Sequence, residues 1–198
     1  MNNDEAWLEI DEATDVLISL RHANKCIICA KQEPGEWKWV ILAVHNALQG
    51  AMVCHLSGSA QLGALRKDSI KKALSWHEED RQGIEKDYPD EMLADANELF
   101  KRVIGDADIR EGAGGLVIVT KDETNAFNSL HRLRREFAHF TPKGWSLELS
   151  GLPLIVSRCG GLIKKIAVAG WAFRHLCESD RILLNNEIEI LCGSSPIE

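Results

Sequence analysis

The feature that most constrains the fold is a long, nearly continuous apolar segment at residues 36–56. Its apolar side chains fall on most sides of a helix with 3.6 residues per turn, because runs such as residues 40–44 leave no polar stripe. A helix of this kind is stable only when other elements surround it. The segment therefore predicts a central helix with several partners packed around it.

Helical periodicity extends over most of the remaining chain. In residues 11–31, apolar side chains recur at Val16, Leu20, Ala23 and Ile27, which is the pattern of a helix with one buried face. The least helical stretch is 105–120, where residues 116–119 fit either a short strand or a packed loop. Helices are predicted over residues 11–31, 36–56, 62–77, 90–104 with Asp90 as N-cap, 122–140 and 152–177, with a short final helix at 181–191.

These segments predict an all-α fold, a single-domain antiparallel bundle of five to six helices over residues 1–198. Short connections between consecutive helices favour antiparallel neighbours, and no internal repeat or long linker divides the chain. Within residues 152–177, Gly160 and Gly161 are expected either to kink the helix or to allow close contact with another helix.

The charge balance of the chain excludes one class of function. Lys and Arg number 23 and Asp and Glu 30, for a formal net charge of −7, so a basic coat for nucleic acid is not expected, although a local basic site is compatible with this balance. No uninterrupted apolar run of about 18 residues occurs, so no membrane span is expected. The 6 cysteines and an acidic start without a signal-peptide pattern predict reduced thiols and a cytoplasmic location.

Three residues of the first predicted helix, His22, Cys26 and Cys29, have side chains that can ligate zinc and share one helical face. No second CxxC or HxxxH motif supplies further ligands, and the CxxC lies in an apolar run, so core cysteines are the favoured interpretation and a structural zinc site the alternative. The glycine loop at residues 112–115 is not a P-loop and lies in the wrong order for a dinucleotide turn, so no cofactor is expected. Serine hydrolase chemistry is not expected either, since no nucleophile elbow is present.

A basic stretch near the end of the 122–140 helix carries the strongest chemical signal. Arg134 lies five residues before His139, about 7.5 Å along a helix axis and about 140° around it, and Arg135 lies one turn before His139. A guanidinium neutralises phosphate oxygens, and an imidazole moves protons near neutral pH, so the pair suits phosphodiester chemistry. The alternative is a solvated basic face with His139 as a helix-end residue.

The order of Arg134, the polar Arg135, three further residues and His139 near a helix end resembles the signature of the HEPN superfamily (higher eukaryote and prokaryote nucleotide-binding domains). Residues 133–145, LRREFAHFTPKGW, and residues 39–50, WVILAVHNALQG, also resemble bacterial helical proteins of unassigned role. These segments cover a minor part of the chain, while the predicted helices agree with the resemblance over most of it.

The resemblance implies a helical bundle that forms a homodimer, and in many members a metal-independent endoribonuclease in which the ribose 2'-hydroxyl attacks the phosphate at a cleft between subunits. It implies His139 as the proton-transfer residue, Arg134 as the phosphate-binding residue and Arg135 as the polar residue beside it. Arg135 departs from the Asn, Asp or His more usual there. The family also includes catalytically silent members, which bind a nucleotide or a partner protein such as a nucleotidyltransferase, and members in toxin–antitoxin pairs.

Two polar residues in the apolar segment at 36–56 suggest a second side of the pocket around Arg134 and His139. His45 and Gln49 share a helical face, and buried polar groups need partners. We therefore predict that both face the region of Arg134 and His139 and bind substrate there. Local hydrogen bonds or exposure to solvent would satisfy them equally well.

Overall fold

The computed structural model of the chain describes residues 7–106, 113–139, 142 and 144–194. Within these ranges the chain forms seven α-helices, and the only β-type pairing is an isolated bridge between Leu65 and Leu93. The predicted all-α class is confirmed, but the predicted count of five to six helices was too low. The helices are α1 (Glu12–Ala30), α2 (Trp37–Leu56), α3 (Lys67–Arg81), α4 (Ala96–Ile104), α5 (Lys121–Ala138), α6 (Leu152–Val168) and α7 (Glu178–Cys192).

Helix α2 is the centre of the molecule, as its apolar sequence predicts. It packs against α1, α4, α5 and α6, and most of its side chains are buried. The pairing with α1 is close and antiparallel: a Cβ placed on Gly50, late in α2, would lie 2.7 Å from the side chain of Val16, early in α1. Glycine at this position therefore lets the two backbones approach.

Residues Pro34–Leu56 are also long and apolar enough to cross a membrane by length and composition, with a mean hydropathy of 1.3 over an 18-residue window. This finding differs from the expectation that no such segment exists. Of that window, 72% is buried inside the protein, which is typical of a core helix. Core helices pass the same test, so the segment is weak evidence for a membrane span.

Helices α6 and α7 form a second antiparallel pair. Lys164 forms an ion pair with Glu189 at 2.7 Å, and the hydroxyl of Ser157 donates to the carbonyl of Cys192 at 2.5 Å. A Cβ on Gly160 would lie 3.3 Å from the backbone nitrogen of Cys192. Of the two roles predicted for the glycine pair, Gly160 thus serves close helix contact.

Several predicted helix boundaries were wrong. The helix predicted over 62–77 is α3, which spans Lys67–Arg81, because Leu62–Ala64 form a separate 3₁₀ turn before it. The N-cap of α4 is Asp95 and not Asp90, because the Asp95 carboxylate accepts hydrogen bonds from the backbone of Asn97 and Glu98. Helix α6 ends at Val168 and does not reach residue 177, since Gly170 adopts a left-handed conformation (φ +80°) that terminates it. Residues 116–119 form a loop rather than a strand, and Phe140, the predicted end of α5, lies outside the described residues.

Helix α3 lies outside the main core. Its only buried residues are Ser69 and Ala73, and it packs instead on the segment that follows it. The indole of Trp76 donates to the carbonyl of Lys86 at 2.9 Å, and the ring of Tyr88 meets Trp76 edge-on at 5.0 Å. The chain thus makes a peripheral excursion between α2 and α4.

Candidate functional site

Helix α5 carries the basic stretch, and its amphipathic pattern sets which side chains face outward. The helix begins with a capping box between Thr120 and Glu123, which satisfies backbone N–H groups at its first turn. Its buried face is made of Ala126, Phe127, Leu130 and Leu133. The basic residues of its second half therefore lie beside or opposite the core.

A pair of histidines joins α2 to α5 at this point. The Nε2 atom of His45 lies 3.1 Å from the Nδ1 atom of His131, and the two rings stack with centroids 5.3 Å apart. His45 is 3% exposed, whereas His131 is half-buried and reaches the surface. The ring of Phe127, one turn earlier on α5, also stacks with His131, with centroids 6.0 Å apart. Aromatic packing thus holds both imidazoles in place.

The hydrogen bonds around this pair fix the proton positions of the neutral rings. The side-chain amide of Asn97 on α4 donates to Nε2 of His131 at 3.3 Å. The proton of a neutral His131 is then on Nδ1, which donates to Nε2 of His45. The remaining proton lies on Nδ1 of His45, which is buried and has no partner in the part of the chain that the structure describes.

The surroundings favour the uncharged form of both rings. Burial lowers the pKa of His45 to about 4, and the positive charges of His131 and Arg134 act in the same direction. Burial also lowers the pKa of His131, assisted by Arg135 and Arg134 and opposed by the carboxylate of Asp95. Both imidazoles are therefore neutral at pH 7.

The arginines of α5 are available to an anion. Arg134 is half-buried next to the histidine pair, while Arg132 and Arg135 are exposed. Among the described residues, none of the three has a carboxylate partner or any other hydrogen bond from its side chain. Unpaired guanidinium groups on one helix are a suitable surface for phosphate oxygens.

His139 lies at the end of this helix and is exposed. Its backbone N–H donates to the carbonyl of Arg135 at 2.9 Å, which makes it the C-cap residue. It is eight residues beyond His131, about 12 Å along the helix axis. The structure therefore brings His45 into contact with His131 and within range of the charge of Arg134, but it shows no contact of His45 or Arg134 with His139 within one chain.

Gln49, the second residue predicted on that side of the pocket, is half-buried in a different environment. It lines a cavity of about 390 Å³ together with Glu12 and Asp15 of α1. Although it lies one turn after His45 on α2, its cavity is lined by acidic residues of α1 and not by the arginines of α5. The structure thus separates Gln49 from the basic stretch.

The zinc alternative gains no support from the geometry. His22 and Cys26 approach each other, with Nε2 and Sγ 3.6 Å apart, but Cys29 is exposed. No three His, Cys, Asp or Glu residues of the described ranges are arranged to hold a metal ion. Burial, with Glu36 nearby, raises the pKa of Cys26 to about 11, so its thiol stays protonated at neutral pH.

Sequence reasoning missed His131 as a site residue. The signal was present in the spacing, because His131 lies four residues after the buried Phe127 and four before Arg135. Its partner, however, is 86 residues away in the sequence.

Comparisons with protein-family models, with curated proteins and with solved structures found no match to this chain. The description of the site therefore rests on its geometry alone.

Proposed function

We propose that this protein is a HEPN-like endoribonuclease that cleaves RNA without a metal ion, using the outer surface of α5. The observation that supports this most is the group of three arginines on one helix, Arg132, Arg134 and Arg135, without acidic partners among the described residues. Arg132 and Arg135 are one turn apart and exposed, so they form a local positive surface on an otherwise acidic chain, while Arg134 lies toward the histidine pair. His139 lies one turn beyond Arg135, on the same exposed face.

In this proposal the ribose 2'-hydroxyl attacks the adjacent phosphorus. The new bond joins O2' to phosphorus, and the bond from phosphorus to O5' breaks, which yields a 2',3'-cyclic phosphate and a 5'-hydroxyl. Arg134 and Arg135 bind the phosphate and stabilise the charge of the pentavalent state. His139 transfers the proton that the reaction moves at one of the two oxygens.

The separation of Arg134 and His139 around α5 supports the expectation of a homodimer. The two positions differ by about 140° around the helix, so one chain presents them in different directions. A second copy packed against α5 would bring Arg134 of one chain near the other chain's imidazole. The homodimer, and any antitoxin or nucleotidyltransferase partner, are proposals.

A second candidate is a catalytically silent module that binds a nucleotide or a partner protein. The observation in its favour is that the charge of Arg134 acts on His45, which is buried and neutral. In that case the arginines bind phosphate or a partner protein, and no proton is transferred.

Cleavage assays on the purified protein separate these candidates. Single-stranded and structured RNA are incubated with the protein in a chelator, and the ends of the products are analysed. We expect cyclic phosphate ends, and a loss of about 10²–10⁴-fold in rate for His139→Ala, as for removal of a general acid or base. His175→Ala, at an exposed histidine outside α5, is the matched control.

Circular dichroism checks that both variants fold. Cleavage by His139→Ala at the wild-type rate would remove His139 from the mechanism. Tight binding of a nucleotide by the wild type, without any cleavage of RNA, would favour the silent module.

A further inference from the structure

A stripe of three residues on α5 contains more proton-transfer chemistry than the proposed function uses. His131, Arg135 and His139 follow one another at four-residue spacing, so each is displaced by about 40° around the helix and about 6 Å along it from the one before. The guanidinium of Arg135 thus lies between two imidazoles on one helical surface. Two imidazoles on either side of a cation are the groups needed to transfer both protons of a phosphodiester cleavage.

His131 is prepared for one of these two transfers. Its Nδ1 atom is occupied by His45 at 3.1 Å, so Nε2 is the nitrogen left for a ligand. The only partner of Nε2 among the described residues is the amide of Asn97, at 3.3 Å, on an exposed residue that a substrate can displace. A neutral imidazole held in this tautomer has its basic lone pair on Nε2, directed at the exposed amide of Asn97.

We propose that His131 is the general base of this site, that Arg135 binds the phosphate between His131 and His139, and that His45 is the positioning residue that holds the tautomer of His131. This inference rests on the proposed ribonuclease function and adds a second proton-transfer residue to it. Its basis is the His45–His131–Asn97 hydrogen-bonded chain together with the spacing of the stripe.

The proton balance of the step is closed. His131 takes the proton of the 2'-hydroxyl on Nε2 as O2' bonds to phosphorus, and His139 gives its proton to O5' as that bond breaks. The resulting imidazolium of His131 keeps its Nδ1–H bond to Nε2 of His45, which as a neutral acceptor stabilises the added charge. Exchange with water returns both histidines to their starting forms.

Several charged or titratable groups face His131. His45 lies on α2 and Asp95 on α4, while Arg134 and Arg135 lie on α5 itself. The arginines and burial favour the neutral base before the reaction, and Asp95 favours the protonated form that follows. Burial and the arginines outweigh Asp95, because the pKa of His131 is lowered overall.

The pH profile of cleavage tests the role of His131. A general base must be unprotonated, so the acid limb of the kcat/KM profile should belong to His131. We expect His131→Gln, which keeps a hydrogen-bonding side chain without titrating, to lower kcat by about 10²-fold or more and to flatten the acid limb. Arg135→Gln should instead lower kcat/KM while keeping the acid limb in place, because it weakens phosphate binding and stabilisation of the pentavalent state but removes no titrating base.

Two variants of His45 test its positioning role. In His45→Gln the side-chain amide can replace Nε2 as the acceptor, so we expect activity within about tenfold of wild type. In His45→Leu the imidazolium of His131 loses its acceptor, and the acid limb should move to lower pH together with a larger loss of rate. Thermal unfolding of each variant establishes that it is folded, and the His45 pair keeps the test valid if His131→Gln does not fold.

The outcomes separate this inference from the proposed function. If the wild type cleaves no RNA, both are wrong. If the wild type cleaves RNA while His131→Gln keeps the wild-type rate, or loses rate with an unchanged pH profile, only the role of His131 is wrong. Equal pH profiles for His45→Gln and His45→Leu would overturn the role of His45.

Discussion

Two buried histidines on α2, His45 and His55, have similar chemistry but different neighbours. Both are neutral, both have a pKa lowered mainly by burial, and both have an Nδ1 atom without a partner among the described residues. The Nε2 atom of His45 meets a second imidazole that reaches the surface, whereas Nε2 of His55 donates to the backbone carbonyl of Gly115 at 2.9 Å. Burial and a lowered pKa therefore do not identify a proton-transfer site without a titratable partner.

The His55 end of α2 serves to hold a loop. The backbone N–H of Gly114 donates to the carbonyl of His55, and its Cα lies over the ring, so that an added Cβ would be 2.3 Å from the ring atoms. The side chain is fully buried. Glycine at 114 is thus required by the close approach of the loop to this imidazole.

The largest expected effect is on this structural end of the helix. Gly114→Ala places a methyl group inside the buried ring of His55, and we expect the free energy of unfolding to fall by about 3 kcal/mol, the upper range for overpacking. Urea denaturation measures it. Gly144→Ala is the control, because a Cβ there has no neighbour within 4 Å among the described residues. Equal stability of the two variants would show that the loop moves away from His55.

The next largest expected effect is a loss of folding stability at acid pH. Burial holds the pKa of His45 at about 4 in the folded chain, against 6.5 for a histidine side chain in water, so the unfolded chain binds this proton first. Stability therefore falls as the pH drops from 6.5 toward 4, by about 3 kcal/mol for this group. His131 and His55 contribute in the same direction, since the pKa of each is also lowered.

Denaturation curves of wild type and His45→Gln at pH 7 and pH 4 measure how much of the acid-induced loss of stability is due to His45. The acid-induced loss should be smaller in His45→Gln, which has nothing to protonate at this position, while the remaining groups titrate alike in both proteins. An equal loss in the two proteins would mean that His45 is solvated, and the comparison with His55 would then lose its basis.

The smallest expected effect is the loss of stability in His55→Leu, which extends the comparison of His55 with His45. His55→Leu removes the hydrogen bond to Gly115, which costs about 1 kcal/mol of stability. We expect the pH profile of RNA cleavage to stay unchanged, unlike that of His45→Leu. Urea denaturation and the pH profile of RNA cleavage are measured for both His55→Leu and His45→Leu. A shifted acid limb in His55→Leu would mean that any lost buried imidazole disturbs the site indirectly.

The helical class and the central place of α2 could be read from the sequence because both depend on local periodicity and on apolar composition. The start of α4 could not, since Asp90 and Asp95 are both suitable N-caps and the bridge between Leu65 and Leu93 keeps the preceding residues extended. Tertiary packing therefore determines that α4 begins after Asp95 and not after Asp90. The roles of Arg134, Arg135 and His139 stay predictions.

The histidine pair was beyond sequence reasoning for a similar reason. His45 was selected because it is polar within an apolar helix, and a partner was expected on the 122–140 helix, but helical periodicity does not give the rotation or the offset of one helix against another. That offset placed His131, and not His139, opposite His45. Gln49, on the same helical stripe as His45, lies beside α1 instead.

The peripheral position of α3 has a consequence for local opening of the chain. Its contacts are mainly to residues 82–92, so we expect it to unfold together with that segment while Ala94, which belongs to the core, stays packed. Amide protons of α3 should then exchange with solvent through a subglobal fluctuation, while those of α2 exchange only when the whole molecule unfolds. We therefore expect the excursion between α2 and α4 to behave as a separate cooperative unit attached to the domain.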